Sequence, residues 1–225
     1  MKRVALFAAA IAGLPMIACE PAAAKPPTHW DGLVQVESKR LDLVYLQPGA
    51  DLRGYTKVLL EPTEVAFAKN WQRDYNRDTR ALSTRISDRD VQNAITKGVE
   101  AANDIFREAW SKGGFAVVTE PGPDVLRITT GIVNITVTAP DKMTAMRSYN
   151  FADEAGTATL FVEARDSMTG ALLGRAVDQG VAGDNGTAWR SSINNRADFR
   201  QMVENWAKIS VRGVSELKNL PVAQP

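Results

Sequence analysis

The sequence predicts an α+β domain: a mixed, largely antiparallel sheet with two helices packed on one face. Three observations carry that expectation. Two stretches of helical apolar period lie far apart, one from Val91 to Ala109 and one from about Arg196 to Leu217. Around them lie segments rich in β-branched residues. Several of these are joined by turns too short for a helical crossover, which forces antiparallel neighbours. The resulting order is β-α-β-β-β-β-α, with helices and sheet as separate layers.

The first clear strand is "YTKVLLEPTEVAF", Tyr55 to Phe67, with Val58, Leu59, Leu60, Val65 and Phe67 as its interior. Pro62 has no N–H to give a ladder, so this strand is expected at an edge or with a bulge. Asn70 to Arg89 reads as a polar, arginine-rich loop. Ser87 and Asp90 have the spacing of a capping box and should start the first helix. Val91, Ile95, Gly98, Ala102, Ile105 and Ala109 form its apolar face, and Gly113-Gly114 ends it. The helix is expected as a right-handed crossover if the strands it joins are parallel.

"FAVVTE" is a short strand, Phe115 to Glu120, followed by the turn "PGPD". Val125 to Thr138 is a long strand. A loop is expected from Ala139 to about Ala155. "TATLFVEARD" and "ALLGRAVDQGV" then read as a hairpin with Gly170 in its turn. Asp166 is placed to accept hydrogen bonds from that turn's backbone. "AGDNGTAWRSSINN" reads as loop. The last helix sets Phe199, Met202, Val203, Trp206, Ile209 and Leu217 on one face, with Trp206 in the core.

The N-terminus has a different character. "MKRVALFAAAIAGLPMIACEPAAA" holds Lys2 and Arg3, then an apolar run from Val4 to Ala18, then small residues. That is the layout of a secretory signal, and the run is short for a membrane span. "MIAC" fits a lipoprotein processing box, with Met16 where Leu is usual, and Cys19 is the sole cysteine of the chain. Cleavage before Cys19 would make it the acylated first residue, and several acyl chains give stable anchoring. Glu20 behind it points to the outer membrane rather than the inner. The competing site is Ala22-Ala23-Ala24, which would release a soluble periplasmic chain starting at Lys25. The expected organisation is a signal peptide over 1–18, a lipid-anchored tether over 19–41, one domain over 42–220 and a tail over 221–225.

Composition excludes several functions. The full chain carries 27 Lys+Arg and 26 Asp+Glu, and loss of Lys2 and Arg3 leaves 25 against 26, a net charge of −1. Nucleic-acid partners and polybasic membrane binding are not expected at that balance. No disulfide is available to the domain.

Four stretches together carry a family likeness. They are "YLQPGADLRGYTKVLLEPTEV", "EPGPDVLRITTGI", "ARDSMTGALLGRAVDQ" and the helix around Trp206-Ala207, in that order. Over Leu43 to Leu217 the chain resembles the bacterial envelope lipoprotein family catalogued as domain of unknown function 3313. The resemblance implies a lipidated, exported single domain, and it implies no reaction and no catalytic residues; tethered by Cys19, the domain is expected to face the periplasm.

The chemistry-bearing residues agree with a non-enzymatic reading. A nucleophile needs a base, and the only His is His29, within the tether. One His and one Cys cannot supply a zinc site. No phosphate-binding glycine loop is present, and no cofactor or metal is expected. Glu61, Glu64, Glu163 and Asp166 lie in or beside strands and could serve a glycosidase if paired across a cleft; otherwise they face solvent or pair with arginines. The segment Asn70–Arg89 combines aromatics and arginines, an interface composition. Trp71, Arg73, Tyr75 and Arg77, with Trp189 and Arg190 before the last helix, form the candidate interaction surface. The expected partners are the membrane, through the lipid, and an envelope protein or glycan. The alternative is a periplasmic carbohydrate- or ligand-binding or hydrolytic protein, recognisable by convergence of Glu61, Glu163 and Trp71 in one concave site.

Overall fold

The computed structural model describes residues 25–79, 85–138, 149–152, 154–183 and 188–219, with the backbone path alone for 149–152 and 188–194. The elements in order are β1 (His29–Trp30), β2 (Leu33–Val36), β3 (Leu43–Leu46), β4 (Lys57–Leu60), β5 (Glu64–Phe67), α1 (Trp71–Asp78), α2 (Asp88–Lys112), β6 (Ala116–Val118), β7 (Val125–Val137), β8 (Tyr149–Ala152), β9 (Gly156–Asp166), β10 (Leu172–Ala182), β11 (Ala188–Ser191) and α3 (Ser192–Lys218). The expected α+β class holds. Among the described residues a nine-stranded sheet runs β1-β2-β3-β10-β9-β7-β4-β6, with β5 also on β7, and β8 pairs β11 separately. No described helix is long and apolar enough to cross a membrane.

The thirteen-residue β7 is the spine. One edge pairs antiparallel with β9. The other takes β4 and β5 in tandem, both parallel. Pro62 accounts for the split: lacking an N–H, it interrupts the strand expected over Tyr55–Phe67. The two halves resume on either side of Thr63, whose hydroxyl bonds Thr130 Oγ1 at 2.7 Å inside the core. Asn134, at φ 53°, sits in a bulge between Val133 and Thr136. The extra residue lets both Ile132 and Ile135 face the core.

α2 starts as expected. Ser87 and Asp90 form the reciprocal capping box, and Asp88 and Asp90 place acids in the first turn, where the helix dipole favours them. α3 lies beside α2, and both cover one face of the sheet. Trp110, Phe106, Leu126, Ile128 and Leu160 are almost wholly buried between the layers, each side chain stabilising by about 1.5–3 kcal/mol relative to exposure. Trp206 is core as expected, 3% exposed. It lies over Gly180, where a side chain would meet its ring. Its indole N–H donates to Asp178 Oδ2 at 2.7 Å. Burial pushes the Asp178 carboxyl up, and that hydrogen bond only partly offsets it.

Three expectations need correction. The tether over 19–41 is not one throughout: β1 and β2 form a hairpin within it, β2 pairs β3, and Leu33 is fully buried. The sheet therefore begins at His29 rather than near residue 42. The arginine-rich loop contains α1, entered from Asn70 in the left-handed conformation. The loops expected over Ala139–Ala155 and Ala182–Asn195 contain β8, β11 and the first turn of α3. The hairpin of β9 and β10 is as expected: Gly170 takes φ 73°, and Asp166 Oδ1 accepts from the N–H groups of Met168 and Thr169.

Candidate functional site

Two clefts open where the helix layer does not fill the sheet. The first, about 450 Å³, lies between β3, β10 and the C-terminal half of α3. Its walls are aliphatic, including Val44, Leu46, Val162 and Val214. Its rim carries Lys39 and Arg40 against Glu37 and Glu216. Arg40 is tied to Glu216 at 2.6 Å.

The second, about 400 Å³, lies at the opposite end of the helix pair. β5 and β7 supply Val65, Phe67, Ile132 and Ile135. α2 supplies Ala94, Ala101 and Ala102, whose short side chains leave the space open. α1 closes one side with Trp71, stacked on Phe67 at 4.5 Å and followed by Tyr75 at 6.0 Å. α1 is held there by the backbone of Ile86: Asn76 Nδ2 donates to Ile86 O at 2.8 Å and Asn76 Oδ1 accepts from Ile86 N at 2.7 Å. Lys97, Arg196 and Arg200 line this cleft with a single carboxylate, Asp90, which Ser87 engages in the cap.

α1 divides the candidate interaction surface. Trp71 and Tyr75 are half-buried on its inner side. Arg73 and Arg77 point outward, each 68% exposed, and pair with Asp74 and Asp78. Trp189 and Arg190 sit on β11, but their side chains lie outside the described residues, as do Cys19, the signal segment, residues 184–187 of the expected loop and the tail.

The acids do not gather. Glu163, on the sheet face away from the helices, lies between Arg165 at 2.6 Å and Arg175 at 2.7 Å. Burial pushes its carboxyl up, but the hydrogen bonds from Arg175 and Arg165 outweigh burial and hold it below its ordinary value. Arg175 also bonds Asp31 Oδ2 at 2.8 Å and stacks over Trp30 at 4.1 Å. Glu61 faces Arg127 at 3.6 Å beside a small pocket of about 100 Å³. Asp166 is held low, first by Thr169 and then by the Tyr55 hydroxyl at 2.8 Å. Burial and that carboxylate push Tyr55 up to about 12. Glu61, Glu163 and Trp71 share no described cavity.

Sequence reasoning found Trp71 through composition but missed the rest of its cleft. The available signal was the run of small residues, Ala94, Gly98, Ala101 and Ala102, on one face of a long helix.

The chain belongs to the family described as protein of unknown function DUF3313, whose profile matches residues 27–209. No curated protein matches it. Solved structures similar in outline include a protein of family DUF330, XCC0632 from Xanthomonas campestris, at 10% identity over 76% of this chain and 88% of that one, TM-score 0.40. A minor lipoprotein from Acinetobacter baumannii matches at 12% identity over 75% and 98%, TM-score 0.32. The PelC dodecamer from Paraburkholderia phytofirmans matches at 12% over 72% and 95%, TM-score 0.31.

Proposed function

We propose that the chain is an exported envelope lipoprotein, anchored to the outer membrane through acylated Cys19, whose domain serves as a non-enzymatic interaction or accessory module facing the periplasm. The observation that supports this reading is the dispersal of the acids. Glu163 is committed to two arginines, Glu61 lies against a third, and Asp166 to a turn and Tyr55. A glycosidase of the usual kind needs two carboxylates across one cleft, and the two larger clefts here are mainly apolar. The carbohydrate-active alternative required Glu61, Glu163 and Trp71 together, and it loses its support. The partner surface is the outer side of α1, where Arg73 and Arg77 are exposed beside Asp74 and Asp78, with Trp71 and Tyr75 behind them fixing the helix to the domain.

The test is the intact mass of the protein from membranes, with and without an inhibitor of lipoprotein signal peptidase. The expected mass is a chain beginning at Cys19 plus its acyl groups, replaced by the full precursor under the inhibitor. A chain beginning at Lys25 without lipid, unaffected by the inhibitor, refutes the anchor.

A further inference from the structure

The cleft between β3, β10 and the C-terminal half of α3 is held open by a glycine. Gly213 lies on its wall, and a side chain built there would meet nothing within 4 Å. A glycine inside a helix costs stability relative to alanine, and no neighbour among the described residues requires it. The facing wall is Val44 and Leu46 of β3. Residues 37–40 border the mouth and are clasped to α3 by Arg40 and Glu216, both partly exposed. The cleft reaches the end of α3, where Leu217 lines it. There Asn219 closes the helix: its N–H donates to Glu216 O and its Nδ2 to Ser215 O, both at 3.0 Å. Pro221 cannot continue a helix, so the chain leaves α3 beside the cleft. Residues 220–225, outside the described residues, read Leu-Pro-Val-Ala-Gln-Pro. None carries a side-chain charge. Leu220 and Val222 are aliphatic, and the two prolines have no N–H to leave unpaired among apolar walls. Six extended residues reach about 20 Å. α3 borders the cleft from Ile209 to Leu217, about 12 Å of helix.

We propose that residues 220–225 turn back along α3 and lie in this cleft as an intramolecular plug. Leu220 and Val222 pack against Val44, Leu46 and the open side of Gly213, inside the clasp of Arg40 and Glu216. The rim pairs its own charges, and an uncharged segment needs none of them. A segment joined to the wall of its own site acts at an effective concentration in the millimolar range. It therefore keeps the cleft closed to any weaker apolar guest. The inference rests neither on Cys19 nor on α1, and an unlipidated mass leaves it standing.

The experiment uses the full chain carrying Val222→Cys, treated with a maleimide. Adducts are mapped by mass to the peptide after Lys218, which separates this thiol from Cys19. The expected result is labelling at least roughly tenfold slower in the folded chain than in urea, the rate at which a buried thiol must first be exposed. Gly213→Leu, whose side chain enters the open space, should raise the folded-state rate about tenfold with circular dichroism and Tm preserved. Val44→Trp fills the cleft from the facing wall and should do the same, so the reading does not hang on one variant. Ala94→Phe, at the other cleft, should leave the rate unchanged. Rapid labelling of the folded chain overturns the proposal. So does slow labelling that neither cleft variant relieves. Protection lost on dilution also overturns it, because the segment in the cleft would then belong to a second copy.

Discussion

Replacing Arg175 with Met removes one charge from the sheet and leaves most of the volume. Arg175 is 8% exposed and the Glu163 side chain 12%. The guanidinium makes two bonds to Glu163, at 3.1 and 2.7 Å, and one to Asp31. Removing one partner of a buried pair costs about 3–5 kcal/mol, because the other charge is left uncompensated. Glu163 keeps Arg165 at 2.6 Å, which is 37% exposed, so the loss should fall near the lower end, about 3 kcal/mol. For a chain of this size that is roughly 6–12 °C in Tm. Arg165→Met should cost less than about 1 kcal/mol, as more exposed pairs do. Urea unfolding followed by tryptophan emission and circular dichroism reads both. Glu163 is held below its ordinary value of 4.5, so the stability it supplies is present above that pH and is lost as pH falls through the folded-state value. The gap between the wild type and Arg175→Met should therefore close below about pH 4.5. Equal losses for the two arginines, or a gap that persists in acid, would refute the reasoning.

Trp206→Phe should show the opposite pH dependence. Among the described residues it removes the one side-chain donor to Asp178, whose carboxyl burial already pushes up, so the variant should regain stability as pH falls from neutral towards 4, read by thermal melts across pH. Asn76→Ala breaks both bonds to Ile86, costs about 1–2 kcal/mol, and should raise hydrogen exchange in α1 before any other helix. Gly180→Ala places a methyl 2.5 Å from the Trp206 ring and 2.7 Å from Met202 Sδ, and should cost about 1–3 kcal/mol through overpacking, measured by urea titration.

The parts legible from sequence are those where local signals are strong and agree with tertiary structure. Ser87 and Asp90 start α2 because a capping box satisfies its own donors whatever surrounds it. β9 and β10 show period-two patterning around Gly170, and the pairing is local. β1 to β3 were not legible for a physical reason. They are two to four residues long, too short to show a period, and β3 is completed by β10 far along the chain. α1 has no apolar stripe: Trp71 and Tyr75 face inward among charges, and its start depends on a left-handed Asn70. Of the candidate surface, composition found the aromatics, but only the fold separates Trp71 and Tyr75 from Arg73 and Arg77. The cleft itself was hidden, because a gap between layers is set by what α2 lacks at Ala94 and Ala101.

The pairing of Leu46 with Gly174 has a consequence for the order of assembly. Synthesis delivers β1 to β3 first, yet their place in the sheet does not exist until β10 has been made and has folded back on β9. Contacts so distant in sequence close slowly. Meanwhile the open side of β10 is a row of unsatisfied N–H and C=O groups, a template for a second chain. The N-terminal hairpin, first to emerge, is thus last to be seated, and until it arrives the nascent protein is at its most prone to self-association.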